Sequence, residues 1–299
     1  MADKTGEQDI RGIDIQKLAV QYAEEENVFK NHVTLTSTNA REIRWYKKTS
    51  GILGGTTTTG MTGDLMDNTD QLAQPTIVEQ SWTRQTSYVR EYFVESEVIS
   101  EEDIKDSDPD VIATHVRDLV KAIARRVDKR IWDVATENRT GGSMNINQVH
   151  CSGGHWLAGT LSDPVKDIGY AKQLIRDESY IPEGGVLLIR ADSHRALVEW
   201  LITYKGSSVP QFASEKIRSG VVMNFMGLNV VVSQNVTAKY GLVGDLKTAV
   251  KWKSFFPLKM VKIVKPLIGT SIRVKEEGEA ILEHPKALCL LSGCGVAAI

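Results

Sequence analysis

Residues Glu97–Gly142, which read EVISEEDIKDSDPDVIATHVRDLVKAIARRVDKRIWDVATENRTGG, decide the fold of this 299-residue chain. Asp108 is suited to cap a helix, Pro109 fits its first turn, and the glycines at 141–142 can end it. Between them, apolar residues recur at helical spacing along one stripe: Ile112, Val116, Leu119, Val120, Ile123, Val127, Ile131 and Val134. The pattern predicts one helix over about residues 109–138, roughly 40 Å long. Because this stretch has no catalytic signature, so long a helix indicates a structural component.

The composition is typical of a folded, soluble protein. Hydrophobic residues are 41% of the chain and charged residues 25%, and a formal net charge of −2 excludes a global basic field for tight nucleic-acid binding. No apolar run approaches the ~20 residues of a membrane span, and the polar start, MADKTGEQDIRG, is neither a signal peptide nor a transit peptide. The cysteines Cys151, Cys289 and Cys294 are sparse and odd in number, which argues against a disulfide framework and for a reducing compartment.

The N-terminal third has the features of two appendages. Residues 1–42 indicate an arm, because a short amphipathic helix is followed by HVTLTSTNA, which is too polar for a core strand. Residues 43–99 place two β-rich segments on either side of a Gly- and Thr-rich stretch at 49–75. They predict an extended hairpin, which is marginal in isolation. We therefore expect the arm and the hairpin to lie partly against neighbouring copies of the chain.

The remaining sequence mixes helices and strands. A helix over residues 162–176 is predicted to begin at a Ser162 cap. GGVLLIRADSHRALVEWLITY (184–204) indicates a buried strand, a turn and a helix, and residues 266–285 indicate a long exposed strand with a turn. KALCLLSGC (286–294) is a last apolar strand. Because no strict βαβ rhythm is present, the predicted class is α+β.

The order of these segments resembles the major capsid protein of tailed double-stranded DNA viruses with the Hong Kong 97-type fold, over nearly the whole chain. WTRQTSYVREYFVESEVISEEDIKDSDPDV (82–111) is similar to that family's return strand, hinge and start of the spine helix. IPEGGVLLIRADSHRALVEWL (181–201) and FMGLNVVVSQNV (225–236) are similar to segments of its axial domain. IRVKEEGEAILEHPKALCLL (272–291) is similar to its late return strand and final strand. Each phrase alone is weak, but their order and spacing together are specific.

The resemblance implies a domain plan: an N-terminal arm at 1–42, an extended loop (E-loop) at 43–99, a peripheral domain with the spine helix at 100–160 and 266–284, and an axial domain at 161–265 and 285–299. It implies pentamers and hexamers of an icosahedral shell around double-stranded DNA, with no enzymatic activity, cofactor or metal. It further implies a virion component assembled in the host cytoplasm, with separate scaffolding, portal and decoration proteins as possible partners. Two alternatives are an encapsulin-like nanocompartment shell and, from another class, an unrelated metal-dependent or hydrolytic enzyme.

Some members of that family link subunits covalently, joining a lysine of the extended loop to an asparagine of the late peripheral domain. Lys47 and Lys48 could supply the amine, but residues 266–288 contain no asparagine. We therefore predict no such bond. Some members also have a long scaffolding segment at the N-terminus. The arm here is short, so we expect a separate scaffolding protein.

The extended loop also supplies candidate interface residues. Aromatic side chains dominate interface energies, so those of the hairpin are expected to anchor it on a neighbour: Trp45, Tyr46, Trp82 and Tyr92. Charged contacts along the hairpin are expected from Lys47, Arg84, Arg90, Glu91, Glu95 and Glu97. The alternative is that the aromatic residues only pair across the hairpin's own strands.

A basic cluster lies on the later turns of the predicted helix, and its members are Arg125, Arg126, Lys129 and Arg130. One interpretation is a solvated face whose partners are Asp118, Asp128 and Asp133. The other is an inner surface that meets packaged DNA through its phosphates. The nearly neutral chain limits such contact to weak, salt-sensitive and non-specific binding.

Cysteine and histidine lie at short spacing in one loop, at His150, Cys151 and His155, and could be part of a zinc site. A fourth local ligand is missing, and Cys289 and Cys294 are distant in sequence. We therefore expect His150, Cys151 and His155 to be ordinary loop residues and not metal ligands.

Two further motifs resemble catalytic or nucleotide sites only superficially. GILGGTTTTGMTG (51–63) lacks the Gly-Lys-Ser/Thr ending of a phosphate-binding loop, so a flexible tip is expected. Ser193 and His194 are adjacent near Glu199, but neighbours at a helix start point in different directions, so they do not form a triad.

Overall fold

The structure, a computed structural model, describes residues 28–49, 82–100, 110–139, 144–156, 162–205 and 224–294. The strands are β1 (Thr34–Ser37), β2 (Glu42–Lys48), β3 (Trp82–Tyr88), β4 (Arg90–Glu95), β5 (Ile99–Ser100), β6 (Asn147–His150), β7 (Val186–Ile189), β8 (Asn224–Phe225), β9 (Leu228–Val232), β10 (Tyr240–Gly244), β11 (Val250–Lys265), β12 (Gly269–Leu282) and β13 (Leu288–Ser292). The helices are α1 (Asp110–Ala135), α2 (Pro164–Asp177), α3 (Ala191–Trp200) and α4 (Leu246–Ala249). This mixture confirms the predicted α+β class.

Helix α1 confirms the predicted long helix. Its 26 residues span about 39 Å at 1.5 Å per residue. The predicted apolar stripe faces the core, where Val116, Val120 and Val127 are fully buried. The helix ends three residues before the predicted 138, because Glu137 and Asn138 take left-handed backbone angles with φ of 47° and 55°. The expected caps, Asp108–Pro109 and the glycines at 141–142, lie outside the described residues.

The strands form two large sheets and one hairpin. The first sheet has the order β1-β11-β12-β4, with β5 also paired to β12, and only its β1–β11 pair is parallel. The second has the order β6-β13-β10-β7-β9-β8, with parallel pairs at β6–β13 and β7–β9. Helix α1 packs on β12 and β4, and α2 packs on β6 and β13. Among the described strands, β2 and β3 pair only with each other, which confirms the β-rich ends of the predicted hairpin.

The sheets group the strands differently from the predicted domain plan. Strand β11 was assigned with residues 161–265, yet it pairs along its length with β12 in the first sheet. Strand β6 was assigned with residues 100–160, yet it pairs with β13 in the second sheet. The predicted plan groups strands by their order along the chain, whereas the tertiary fold determines which strands pair. The named domains themselves remain a prediction.

Two local predictions are wrong in detail. The cap of α2 is Asp163, whose carboxylate accepts the N–H of Lys166 at 3.2 Å, while the Ser162 hydroxyl donates to the carbonyl of Trp156. Residues 269–282, predicted as an exposed strand, are mostly buried in β12. The reason is position, because β12 lies between β11 and β4 and is covered by α1.

The end of the predicted arm packs on its own chain. Phe29 is fully buried, with its ring 6.2 Å from that of Trp132. Residues Thr34–Ser37 of the polar HVTLTSTNA segment form β1, an edge strand whose residues alternate between half-buried and exposed. An edge strand needs only one covered face, so a polar sequence can occupy it. The predicted helix near Ile10 lies outside the described residues.

Candidate assembly surfaces

One face of the β2–β3 hairpin exposes large aromatic side chains. The cross-strand pairs Tyr46–Arg84 and Lys48–Trp82 lie on the same face as Tyr88, because side chains alternate along each strand. Tyr88 is 67% exposed, Tyr46 60% and Trp82 47%. We call Tyr46, Trp82, Arg84 and Tyr88 the outer hairpin face. Exposed aromatic side chains of this kind are typical of interaction sites. Sequence reasoning missed Tyr88, although the two-residue period from Trp82 would have found it.

The end of β2 and the start of β3 contact the rest of the chain. The Lys47 ammonium forms an ion pair with Glu137, just after α1, and burial lowers the pKa of Lys47. The backbone N–H of Lys48 donates to the carbonyl of Glu283 at 2.9 Å. The Trp82 ring meets the ring of His284 edge-on, with centroids 6.5 Å apart. These contacts hold the strands of the outer hairpin face in place. The side chains of Lys47 and Lys48 are both buried within their own chain.

Several predicted interface residues instead contact their own chain. Trp45 is half-buried, and its indole N–H donates to Ser87 at 3.4 Å. Tyr92 is half-buried with its ring 6.4 Å from Trp252, and burial raises the pKa of its phenol to about 12. The interface role of Trp45 and Tyr92 stays a prediction, but these contacts favour Tyr46 and Trp82 as anchors.

The predicted charged contacts are also largely made within the chain. Arg90 lies 3.4 Å from a carboxylate oxygen of Glu279. Glu91 pairs with Lys275 at 2.7 Å and Glu95 with Arg273 at 2.7 Å. Arg84 and Glu97 are exposed. Arg84 is therefore the charged residue of this set that the outer hairpin face presents.

Strand β12 contains a row of buried carboxylates that sequence reasoning missed, at Glu276, Glu277 and Glu279, each at most 2% exposed. Lys30 pairs with Glu276, and Arg130 of α1 donates to Glu279 through its Nε at 2.9 Å. Burial raises the pKa of Glu279, and Arg130 and Arg90 offset this only in part. The row joins the N-terminal segment and α1 to the first sheet, and it adds an ion pair between β12 and Arg90 of β4. Its only sequence signal is the crowding of acids in VKEEGEAI.

The basic cluster of α1 divides into two parts. Arg130 is committed to Glu279, and Lys129 pairs with Asp133 at 3.2 Å. Arg125 and Arg126 are exposed. A DNA-facing role is therefore open to Arg125 and Arg126 but not to Arg130, whose side chain is only 20% exposed.

Asp128 is not a surface partner of these basic residues. It is fully buried, and its carboxylate accepts the backbone N–H groups of Val28, Phe29 and Lys30 at 2.8, 3.2 and 3.2 Å. Burial raises its pKa to about 6, although the three N–H groups and Lys30 act in the opposite direction. Asp128 therefore holds the N-terminal segment on α1 across about 100 residues of chain.

The motifs that suggested a metal site or an enzyme do not assemble into one. Within the described ranges, no group of three or more His, Cys, Asp and Glu side chains could hold a metal ion. The Sγ atom of Cys151 lies 2.9 Å from that of Cys294, although the two residues are distant in sequence. Ser193 is buried, and the carboxylate of Glu199 faces Arg195 at 3.8 Å. The glycine-rich stretch at 51–63 lies outside the described residues.

The comparisons identify the class. Solved structures that share the fold include the capsid of cyanophage P-SCSP1u, with a TM-score of 0.65 and 13% identity over 89% of this chain and 88% of that one. The capsid of an empty GTA particle has a TM-score of 0.62 and 11% identity over 90% of each chain. A virus-like particle from Pyrococcus furiosus has a TM-score of 0.57 and 10% identity over 94% and 98%. The fold is therefore that of viral and virus-like shell proteins.

A sequence model of the family described as phage capsid protein matches residues 89–268. The chain belongs to that family, and the predicted resemblance to the major capsid protein of tailed viruses is confirmed. It is a self-assembling structural component of a virion, and the nanocompartment alternative is not better supported. No curated protein is similar in sequence. None of the helices in the described parts is long and apolar enough to cross a membrane.

Proposed function

We propose that this capsid protein assembles into pentamers and hexamers of an icosahedral shell that encloses double-stranded DNA, without catalytic activity of its own. Family membership supports the shell. The observation that carries the assembly mechanism is the outer hairpin face, where Tyr46, Trp82 and Tyr88 are exposed on a pair of strands that Lys47 and Lys48 attach to the rest of the chain. Such a face gains free energy when a neighbouring copy covers it.

The first experiment is to express the full chain and examine it by size-exclusion chromatography and electron microscopy. We expect closed shells, with nuclease-protected double-stranded DNA in particles taken from infected cells. A small oligomer that never forms shells would refute the proposal. Shells that enclose a protein and no DNA would instead support the nanocompartment alternative.

The second experiment tests the outer hairpin face. Tyr46→Ala should sharply lower the yield of particles, because aromatic interface anchors contribute about 2 kcal/mol or more per contact. Thr86→Ala, on the same face of β3, is the matched control and should assemble normally. Trp82→Ala should act like Tyr46→Ala, with an added loss of its contact to His284. Normal particle yield from Tyr46→Ala and Trp82→Ala would remove this face from the interface.

We further propose that α1 and the first sheet form the peripheral domain and the second sheet the axial domain, flanked by the arm and the extended loop. Assembly in the host cytoplasm with separate scaffolding, portal and decoration proteins completes this proposal. The family membership and the long α1 that supports the first sheet are the observations behind it.

Weak contact with packaged DNA is proposed for Arg125 and Arg126, the exposed pair of the basic cluster. Each phosphate contact contributes about 0.9 to the slope of log affinity against log salt concentration. The double change Arg125→Gln/Arg126→Gln should therefore lower that slope by up to about 1.8 in a capsomer–DNA binding assay. Arg195→Gln, an exposed arginine of α3, is the control. An unchanged slope would exclude the two arginines as DNA contacts.

A further inference from the structure

Two buried thiols meet where β6 and β13 end side by side. Cys151 follows β6 directly, and Cys294 lies two residues after β13. Their Sγ atoms are 2.9 Å apart, and both side chains are at most 1% exposed. The two strands run parallel, so their ends bring residues 143 positions apart to the same place.

The backbone holds both cysteines at this contact. The N–H of Cys151 donates to the carbonyl of Ser292 at 2.8 Å, and the N–H of Cys294 donates to the carbonyl of Lys239 at 3.0 Å. The indole of Trp156, which is fully buried, donates to Asp167 at 3.2 Å beside the pair. The thiols therefore do not depend on a mobile surface loop for their proximity.

A third thiol provides an internal comparison. Cys289 lies within β13, is fully buried, and is five positions before Cys294. Burial and the nearby Cys151 raise the pKa of Cys289 to about 12, and burial raises the pKa of Cys294 well above its usual range. Because both thiols of the pair are buried, an oxidant must be a small, uncharged molecule to reach them.

We infer that Cys151 and Cys294 form one intramolecular disulfide when the protein passes from the reducing host interior to an oxidising medium. The Sγ atoms need to approach by about 0.9 Å to reach bonding distance. The bond would join the segment after β6 to the segment after β13 and so lock the end of the second sheet. This adds one late bond to a protein whose sparse cysteines exclude a disulfide framework, and it does not depend on the proposed shell function.

The oxidant is a hydroperoxide, of which hydrogen peroxide is the simplest. One thiol loses its proton and the thiolate attacks the peroxide, so that an S–O bond forms and the O–O bond breaks. The sulfur becomes a sulfenic acid, and the released hydroxide takes up the proton and leaves as the first water. The second thiol then displaces the hydroxyl group, so that the S–S bond forms, the S–O bond breaks and a second water leaves. Two thiols lose two electrons and two protons, and one peroxide is reduced to two waters.

The test is a thiol count and a peptide map on the full-length protein, before and after treatment with hydrogen peroxide. The wild-type chain has three cysteines, and we expect the blockable thiols to fall from three to one, with a linked Cys151–Cys294 peptide under non-reducing conditions. Cys289→Ser, the matched control, should still form the bond. Cys294→Ser should form none.

Thermal unfolding supplies a second readout. Closing so long a loop restricts the unfolded chain, so the oxidised wild type should unfold about 5–10 °C above the reduced protein. A reductant should abolish this difference, and Cys294→Ser should not show it. Three free thiols after oxidation, or a linked peptide that contains Cys289, would overturn the inference. Because the thiol count uses wild-type protein, a variant that fails to fold does not obscure the result.

Discussion

The carboxylate of Asp128 is predicted to be the main attachment of the N-terminal segment to the long helix. The perturbation is Asp128→Ala, which removes the acceptor of three backbone N–H groups, those of Val28, Phe29 and Lys30. Phe29 is fully buried, so its N–H has no access to water as a replacement. Asp133→Ala is the matched control, since that carboxylate lies on the same helix but makes a partly exposed pair with Lys129.

The magnitude follows from the donors that the substitution leaves unpaired. A buried N–H group without an acceptor costs about 1–3 kcal/mol. The N–H of Phe29 is buried and bears this cost in full, while the N–H groups of Val28 and Lys30 are partly buried and bear less of it. The alanine variant should therefore lose about 3 kcal/mol of unfolding free energy, while the Asp133 control should lose less than about 0.5 kcal/mol.

The pH dependence of the unfolding free energy gives an independent check on the contribution of Asp128. Because the folded-state pKa of Asp128 lies above its unfolded value, the native state binds more protons between these two values. The contribution of Asp128 to stability therefore rises as the pH falls through this window. Between about pH 7.5 and about pH 5, the wild type should gain about 1.4 kcal/mol relative to Asp128→Ala.

Urea unfolding of the unassembled full-length chain at these two pH values measures both quantities. Hydrogen exchange provides the local test, since the amides of residues 28–30 should exchange about 100-fold faster in the variant. A loss of stability within that of the Asp133 control would refute the attachment. The attachment would also be refuted if the difference in unfolding free energy between wild type and Asp128→Ala became smaller as the pH falls.

Two further predictions concern β12. Glu279→Ala should lower the unfolding free energy by about 3 kcal/mol in urea titration, because it leaves half-buried Arg130 without its partner. Glu91→Ala, which removes an exposed pair, should cost less than about 1 kcal/mol, and equal losses from the two variants would contradict this account. Gly278→Ala should destabilise by about 1–3 kcal/mol, because a Cβ there would lie 2.5 Å from the Trp252 ring. Gly169→Ala in α2, where the nearest atom is 3.7 Å away, should instead stabilise by about 0.5–1 kcal/mol, and a reversed order of the two melting temperatures would refute this account.

The features that sequence reasoning recovered are those written in short-range patterns. The apolar stripe of α1, from Val116 to Ile131, repeats every three to four residues, so the helix and its buried face are readable without a fold. The β-rich segments around Trp45 and Trp82 indicated the base of a hairpin for the same reason. The family resemblance used the order of such segments, and the family match confirms it.

The features that it missed depend on partners far away in sequence. The sequence places Asp128 beside basic residues of its own helix, but its carboxylate accepts hydrogen bonds from backbone N–H groups about 100 positions earlier. Cys151 and Cys294 are distant in sequence, and the predicted domain plan separates β11 from β12, the strand with which it pairs. Local spacing contains no information on which strand ends meet, so neither the thiol contact nor the sheet membership of β11 could be derived from it.

The amino-acid sequence by itself determined the long amphipathic helix, the hairpin segments and the α+β class, because helix and strand periodicity are properties of neighbouring residues. The shell-protein family followed from the resemblance of the ordered segments to a known family, which the family match confirms. Only the tertiary structure decided which charges are buried, which aromatic residues of the hairpin face outward, and which cysteines touch. These depend on how α1, β12 and β13 pack, and burial changes the free energy of a charge or a thiol in a way that no local pattern records.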